Sequence, residues 1–320
     1  MKYAYYPGCS LRESAREFDV SVRAVMERLG AELEEIPDWT CCGASAVASL
    51  DERLALGLPA RNLALAERAS PGLDILAPCS ACYLNLLTAQ RAIRTSREAR
   101  AEAGELLSAE GLSAPAKGGT VRHLLDVLIN DAPPEAIRDQ VVRPLTGLRV
   151  APYYGCQILR PFRVFDDPER PSSMEPILTA LGADIHPWNM GGRCCGASLM
   201  ATHKETALVH VGEILRAAAR TDPAAEENAG DAEDAARGAD VIVTVCPMCQ
   251  MNLEAYQGQA LRAREGGKPV TVLYLTQLMG AAMGLAPEKT LLDKSLAVTG
   301  SFRSRLAGLK EPSAPLAQEA

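Results

Sequence analysis

Two periods alternate in the apolar positions of the chain. Phe18, Val22, Val25 and Leu29 recur at helical spacing, as do Leu208, Val211, Leu215 and Ala218, so each set marks the buried face of a helix. Short continuous apolar runs stand between such stretches, "LDILA" at 73–77 and "VIVTV" at 241–245, and suit strands of a parallel sheet covered on both faces. The segments "VMERLGAELEEIP" and "ILTALGADIHPW" each read as a helix end, a glycine in the left-handed cap position and then a strand. The longest nearly uncharged apolar run, "VTVLYLTQLMGAAMGLAP" at 270–287, is interrupted by Thr, Gln and Gly. It falls short of the roughly 20 residues a membrane-spanning helix needs and reads as buried core. The pattern predicts an α/β protein.

The same pattern is written twice. "TCCGAS" at 40–45 returns as "RCCGAS" at 193–198, and the flanking residues align with it: "KYAYYPGCS" with "RVAPYYGCQ", "LDILAPCSACYLNLL" with "ADVIVTVCPMCQMNLEA", and "VRHLLDVLIND" with "VTVLYLTQLMG". This is an internal duplication. It predicts two tandem Rossmann-like α/β domains, residues 1–145 and 146–290, followed by a loosely ordered tail at 291–320. The second copy is longer because of "TDPAAEENAGDAEDAARG" at 221–238, with six acidic residues and one arginine. Such a stretch reads as a solvated surface insertion, with an acidic docking loop as the alternative.

The net charge of −7 argues against a nucleic-acid surface, which needs clustered Lys and Arg to displace counterions from phosphate. The start "MKYAYYPGCS" has no apolar core of a secretory signal, so a cytoplasmic, reducing location is expected. That matters because all ten cysteines fall in the repeated pattern: Cys9, Cys41, Cys42, Cys79 and Cys82, then Cys156, Cys194, Cys195, Cys246 and Cys249. Disulfide stapling is disfavoured in such a compartment. Structural zinc takes four thiolates per site and leaves a fifth idle in each copy. A thioredoxin-like dithiol matches "VIVTVCPMCQMNL" but ignores six cysteines. Iron–sulfur ligation accounts for more of them. A cubane cluster takes four terminal thiolates, so five per copy implies either a spare cysteine or a cluster in which one thiolate bridges two irons.

Neighbouring residues of a strand point to opposite faces, so the two sulfurs of a doublet reach one inorganic core only at a turn, and the glycine that follows permits it. The doublet is then expected to open a helix, "ASAVASLDERLAL" or "ASLMATHKETALVHV", whose free N–H groups favour an anionic cluster.

With these motifs in place the chain resembles the CCG-domain family, most closely the B subunit of heterodisulfide reductase and its bacterial homologues. The pattern of a lone cysteine, a CC doublet and C-x-x-C is met by Cys9, Cys41–Cys42 and Cys79–Cys82, and by Cys156, Cys194–Cys195 and Cys246–Cys249. The last gap of the second copy departs from the family pattern because of the acidic insertion. The resemblance implies two non-cubane [4Fe–4S] clusters facing a shared cavity. Cys9, Cys41, Cys42, Cys79 and Cys82 would hold the first, and Cys156, Cys194, Cys195, Cys246 and Cys249 the second. It also implies a disulfide oxidoreductase whose substrate is a small-molecule or protein-borne disulfide, cleaved or formed between the clusters. Electrons would come from a ferredoxin-like homologue of that enzyme's C subunit, and behind it a flavin-bearing homologue of its A subunit. The alternative is an electron-transfer module of a succinate or fumarate–quinone complex. No G-x-G-x-x-G follows a strand, so flavin or nicotinamide is not expected in this chain.

His123, His186, His203 and His210 have no partners across the copies and read as ordinary helix or loop residues, a proton donor for a leaving thiolate being the alternative. Asn85 and Asn252 match, three positions after each C-x-x-C, and read as backbone hydrogen-bonders. Tyr5, Tyr6, Tyr153 and Tyr154 read as strand core, and Trp39 and Trp188 as shields of the cysteines from water.

Overall fold

The computed structural model describes residues 1–44, 46–220, 237–263 and 267–309. The acidic stretch lies outside the described residues except at its last two positions.

Each copy builds its own four-stranded parallel sheet. The first contains β1 (Lys2–Tyr5), β2 (Glu32–Glu35), β3 (Ile75–Ala77) and β4 (Val121–His123) in the order β2-β1-β3-β4. The second contains β5 (Arg149–Tyr153), β6 (Asp184–Ile185), β7 (Val241–Thr244) and β8 (Thr271–Tyr274) in the equivalent order β6-β5-β7-β8. Every strand pair is parallel, with Tyr5 opposite Leu76 in one sheet and Tyr153 opposite Thr244 in the other. The run read as a buried strand is one: all four residues of β7 are buried. The apolar segment 270–287 divides into β8 and the buried helix Leu275–Ala282.

Phe18, Val22 and Val25 are buried on helix Arg16–Arg28, and Val211, Leu215 and Ala218 on helix Lys204–Ala219. Gly30 and Gly182 take φ of 75° and 81° just beyond helices Arg16–Arg28 and Glu175–Ala180, as their cap positions require. Residues 291–309, expected as a loose tail, are folded. Thr299 caps helix Gly300–Gly308 by accepting from the Phe302 N–H, Phe302 is buried, and Val272 N–H donates to Ala297 O.

One hydrophobic cluster spans both halves, and a second lies within the second half. The Phe18 ring is stacked on that of Tyr274 with centroids 4.2 Å apart and planes within 6°, a contact that adds to the burial of both rings. Ser21 Oγ and Thr276 Oγ1 are 2.7 Å apart beside it.

Candidate metal centres

In each sheet the chain leaves β1 or β5 toward one side and returns to build the other, so the switch point lies between β1 and β3, and between β5 and β7. Crevices at the carboxyl ends of strands at such a point are where open α/β sheets bind ligands. The cysteines occupy them. Cys9 follows β1, the doublet Cys41–Cys42 follows β2, and Cys79 and Cys82 follow β3; Cys156, Cys194–Cys195, and Cys246 and Cys249 follow β5, β6 and β7.

All five sulfurs of a half come together. Cys9 and Cys41 are 4.0 Å apart and Cys42 and Cys82 3.3 Å apart, and Cys79 acts on Cys82 as a close neighbour. In the second half Cys195 and Cys249 are 3.6 Å apart, and Cys156 and Cys194, like Cys246 and Cys249, are close neighbours. None of the ten is in a disulfide. Cys9, Cys41 and Cys194 are exposed and Cys156 half-buried, while the other six are buried.

Crowding divides the protons unevenly. The contacts with Cys41 first and then Cys82 pull the Cys42 thiol down to about 4, and Cys41 and Cys82 are both raised. In the second half Cys194 is pulled to about 5, chiefly by Cys156 and then by the Gly196 N–H, and Cys246 to about 7, chiefly by Cys249. Thiolate is the metal-binding form of cysteine.

Matched side chains hold these sulfurs. Gly43 and Gly196, after each doublet, take φ of 76° and 74°, and their N–H groups donate to Cys41 Sγ at 3.4 Å and Cys194 Sγ at 3.3 Å. Asn85 Nδ2 donates to Cys42 O at 3.0 Å and Asn252 Nδ2 to Cys195 O at 2.7 Å, the backbone role expected of them. Gly8 and Gly155, before each lone cysteine, take φ of 71° and 68°, and a Cβ there would lie 2.8 Å from Cys82 Sγ and 3.1 Å from Cys249 Sγ. The four tyrosines are buried as expected, but the sequence did not reveal that one of each pair is a tether. Tyr6 Oη donates to Thr40 O and Tyr153 Oη to Arg193 O, both at 2.6 Å and both on the residue before a doublet. Trp39 packs edge-on against Tyr6 at 5.5 Å, and Trp188 lies 6.2 Å from Tyr153.

The expectation that the doublets open long helices is corrected. Helix Val47–Leu50 is four residues long and ends at Asp51, which caps the separate helix Glu52–Ala69, and in the second half only a 3-10 turn, Ala197–Leu199, follows. The cysteines at long-helix N-termini are instead Cys79 and Cys246, the caps of Ser80–Thr95 and Pro247–Ala255. His210, unremarkable in sequence, has Nδ1 3.0 Å from Cys194 O. His123 is fully buried near Ser80 and is pushed down to about 4 by that burial, whereas His203 is exposed and His186 is buried on the flank of a 520 Å³ cavity that contains none of the ten cysteines.

Among the described residues no three His, Cys, Asp or Glu side chains converge on a single metal ion. The contacts are between pairs of sulfurs, and soft thiolates are the ligands iron–sulfur clusters take.

The comparisons agree with the geometry. The cysteine-rich domain model, CCG, matches twice, at residues 3–87 and 150–254. A relative from Wolinella succinogenes, the membrane anchor subunit of 8-methylmenaquinol:fumarate reductase, is 35% identical over 91% of this chain and 94% of its own. A protein of Archaeoglobus profundus that is like the B subunit of heterodisulfide reductase is 30% identical over 90% and 93%. The B subunit of the ferredoxin/F(420)H(2)-dependent CoB-CoM heterodisulfide reductase of Methanosarcina acetivorans is 27% identical over 97% and 99%. A crystal structure of a hypothetical protein from Helicobacter pylori shares the fold, with a TM-score of 0.67 at 14% identity; the match covers 94% of this chain and about half, 52%, of that one. Two matched half-sheets, each carrying the lone cysteine, the doublet and the C-x-x-C at its carboxyl edge, belong to one family: the chain is a member of the CCG cysteine-rich domain family, with the domain present twice.

Proposed function

We propose that the chain is an electron-transfer component of a multi-protein redox complex, carrying one iron–sulfur cluster per half, and that it cleaves or forms a disulfide. The observation that carries this is the gathering of all ten cysteines into two equivalent sets of five. Cys9, Cys41, Cys42, Cys79 and Cys82 would hold one cluster and Cys156, Cys194, Cys195, Cys246 and Cys249 the other. Five thiolates exceed the four of a cubane, which favours a non-cubane [4Fe–4S] type. Bound there, the clusters supply one electron each, together the two that a disulfide takes up with two protons to give two thiols. The glycine N–H groups, Asn85 and Asn252, and Tyr6 and Tyr153 fix the doublets against their sheets. The exposed Cys9 and Cys41, and the exposed Cys194 beside Cys156, are the open side of each set.

The two heterodisulfide reductase relatives support the disulfide reading, and the name of the Methanosarcina relative supports a ferredoxin-like electron donor; a flavoprotein partner and a cytoplasmic location belong to the same proposal. A second reading, electron transfer within a quinol:fumarate-type complex, is favoured by the 35% identical relative. Among the described residues no helix is long and apolar enough to cross a membrane.

Anaerobically prepared protein should contain about eight iron and eight sulfide per chain if both clusters are four-iron clusters. Cys42→Ser and Cys195→Ser should each remove about half of that. With a low-potential reductant the loaded protein should cleave a small or lipoyl-type disulfide. Iron bound without any disulfide turnover, but with electrons passed to a fumarate-reducing partner, would favour the second reading. Iron-free protein would end both.

A further inference from the structure

The seam between the halves is built by an exchange. Each lone cysteine is followed by a segment that leaves its own half and lays a phenylalanine against the other. Phe18 and Phe165 each stand nine residues past a lone cysteine, Cys9 and Cys156. Phe18 is stacked on Tyr274, the last residue of β8, with centroids 4.2 Å apart, and Phe165 on His123, the last residue of β4, at 6.2 Å and with planes within 5°. Aromatic pairs attract beyond the area they bury. Each arm has a second hold on the other half: Ser21 Oγ lies 2.7 Å from Thr276 Oγ1, and Arg91 Cζ lies 4.3 Å from the centre of the Phe162 ring. Ser80 Oγ adds a bond across the seam, donating to Val245 O at 3.3 Å.

The arms begin at the cysteines. The Glu13 N–H donates to Cys9 O at 3.2 Å and the Arg160 N–H to Cys156 O at 3.0 Å. Each lone cysteine is thus tied forward into its arm, whereas the doublets are held by tyrosine and asparagine tethers within their own half. The arms differ in form. The first contains helix Arg16–Arg28, and Phe18 and Tyr274 are both fully buried. The second, residues 157–174, has neither helix nor strand, and its Phe162 and Phe165 are only half-buried. Val164, between those rings, is 43% exposed and lines a 400 Å³ cavity with Arg91. A segment with few buried contacts opens more readily than one seated in a core.

We propose that each half positions the other's lone cysteine: Phe18 and Phe165, seated across the seam, hold Cys9 and Cys156 in their sets, and the looser seat of Phe165 makes the second-half centre the first to open. The inference rests on the reading above that each half holds a cluster. A ligand has to be held to within about 0.5 Å by the packing behind it. For Cys9 and Cys156 that packing ends on the opposite half, so a change made in one half is felt at the centre of the other.

The test is the rate at which the cluster-loaded full chain gives up iron to a chelator under anaerobic conditions, read one centre at a time. The Cys42→Ser chain keeps only the second-half centre and the Cys195→Ser chain only the first, and the second-half centre should empty sooner. Phe165→Ala should speed release from the second-half centre about tenfold. It should leave the first-half centre unchanged, although the ring it removes lay against the first half. Arg91→Ala, an exposed change in the first half, should speed release from the second-half centre alone, by about two- to fivefold, and this decides the matter even if Phe165→Ala folds poorly. Phe165→Tyr, which keeps the ring, should release at the wild-type rate, and Phe18→Leu should speed release from the first-half centre alone. Release that Phe165→Ala and Arg91→Ala speed equally from both centres, from the first alone or from neither would overturn the exchange and leave the two-cluster reading standing, as would a first-half centre that empties first. Iron-free wild-type protein would overturn both.

Discussion

Gly8→Ala and Gly30→Ala make a controlled pair. Both glycines belong to the first half and take nearly the same left-handed backbone, φ of 71° and 75°. An L side chain in that region costs about 1–2 kcal/mol at either position. Their surroundings differ. A Cβ at Gly30 meets nothing within 4 Å, whereas at Gly8 it would lie 2.8 Å from Cys82 Sγ and 3.3 Å from the Tyr6 ring. Neither neighbour can retreat, since Cys82 and Tyr6 are buried and Cys82 is held by Cys42 at 3.3 Å. Overpacking of this kind adds roughly 1–3 kcal/mol. Urea unfolding at unchanged slope should therefore show Gly30→Ala losing about 1–2 kcal/mol and Gly8→Ala about 2–5 kcal/mol. The slope must be compared because a chain of two halves need not unfold in one step. Gly8→Ala should also lose iron from the first half, while Gly30→Ala loads normally. Equal losses in the two variants, with equal iron, would show that Gly8 is not pressed against Cys82 and that its glycine serves the backbone alone.

Asn252→Leu should destabilise more than Asn85→Leu. It strands the Cys195 carbonyl in a fully buried site, about 1–3 kcal/mol, while Asn85 is only half-buried; equal losses by chemical denaturation would contradict the difference in burial. Tyr6→Phe and Tyr153→Phe should each lose about 1 kcal/mol by removing one buried tether to the residue before a doublet, and an effect confined to one of them would break the equivalence of the halves. Glu254 is raised to about 7, first by burial and then by Glu17. The folded chain thus holds that proton more tightly than the unfolded one, and the carboxyl's contribution to stability is lost as pH rises from about 4.5 through 7. Glu254→Gln should accordingly stabilise the protein at pH 8, by up to about 3 kcal/mol, and change little at pH 4; stabilisation that is the same at both pH values would show that ionisation is not the cause.

What the sequence disclosed and what it hid divide by distance along the chain. Gly30, Gly43, Gly182 and Gly196 were legible because a left-handed turn is a local event that one residue type serves. Asn85 and Asn252 were legible because both copies place them at the same step of a helix behind C-x-x-C. The long helix expected after each doublet was misread although the signal was present. Asp51 stands extended and accepts the Leu54 N–H, so it starts a new helix where periodicity alone ran through it. The tethers from Tyr6 and Tyr153 were hidden, since a tyrosine in a buried strand looks like any core residue until its hydroxyl finds a carbonyl more than thirty positions away. Ser80 was beyond reach altogether, because its partner Val245 is 165 residues on and the contact exists only once the halves have docked.

That division has a physical logic. Most of what fixes the sulfurs within one half is duplicated, Gly8 with Gly155, Tyr6 with Tyr153, Gly43 with Gly196 and Asn85 with Asn252, His210 beside Cys194 O being an exception. A group of five cysteines is a local object, and each copy must solve the same crowding and the same turn. The seam carries no such requirement. Two separate identical subunits would have to present the same residue from both sides, so a hydrogen bond across their interface would come with its mirror image. Fusing the copies into one chain lifts that constraint: Ser80, whose hydroxyl donates to Val245 O in the other half, stands where the second half has Pro247. A fused duplicate can therefore keep its two sets of cysteines in matching shape while the contacts between its halves differ from one side to the other, which two identical subunits could not do without breaking their symmetry.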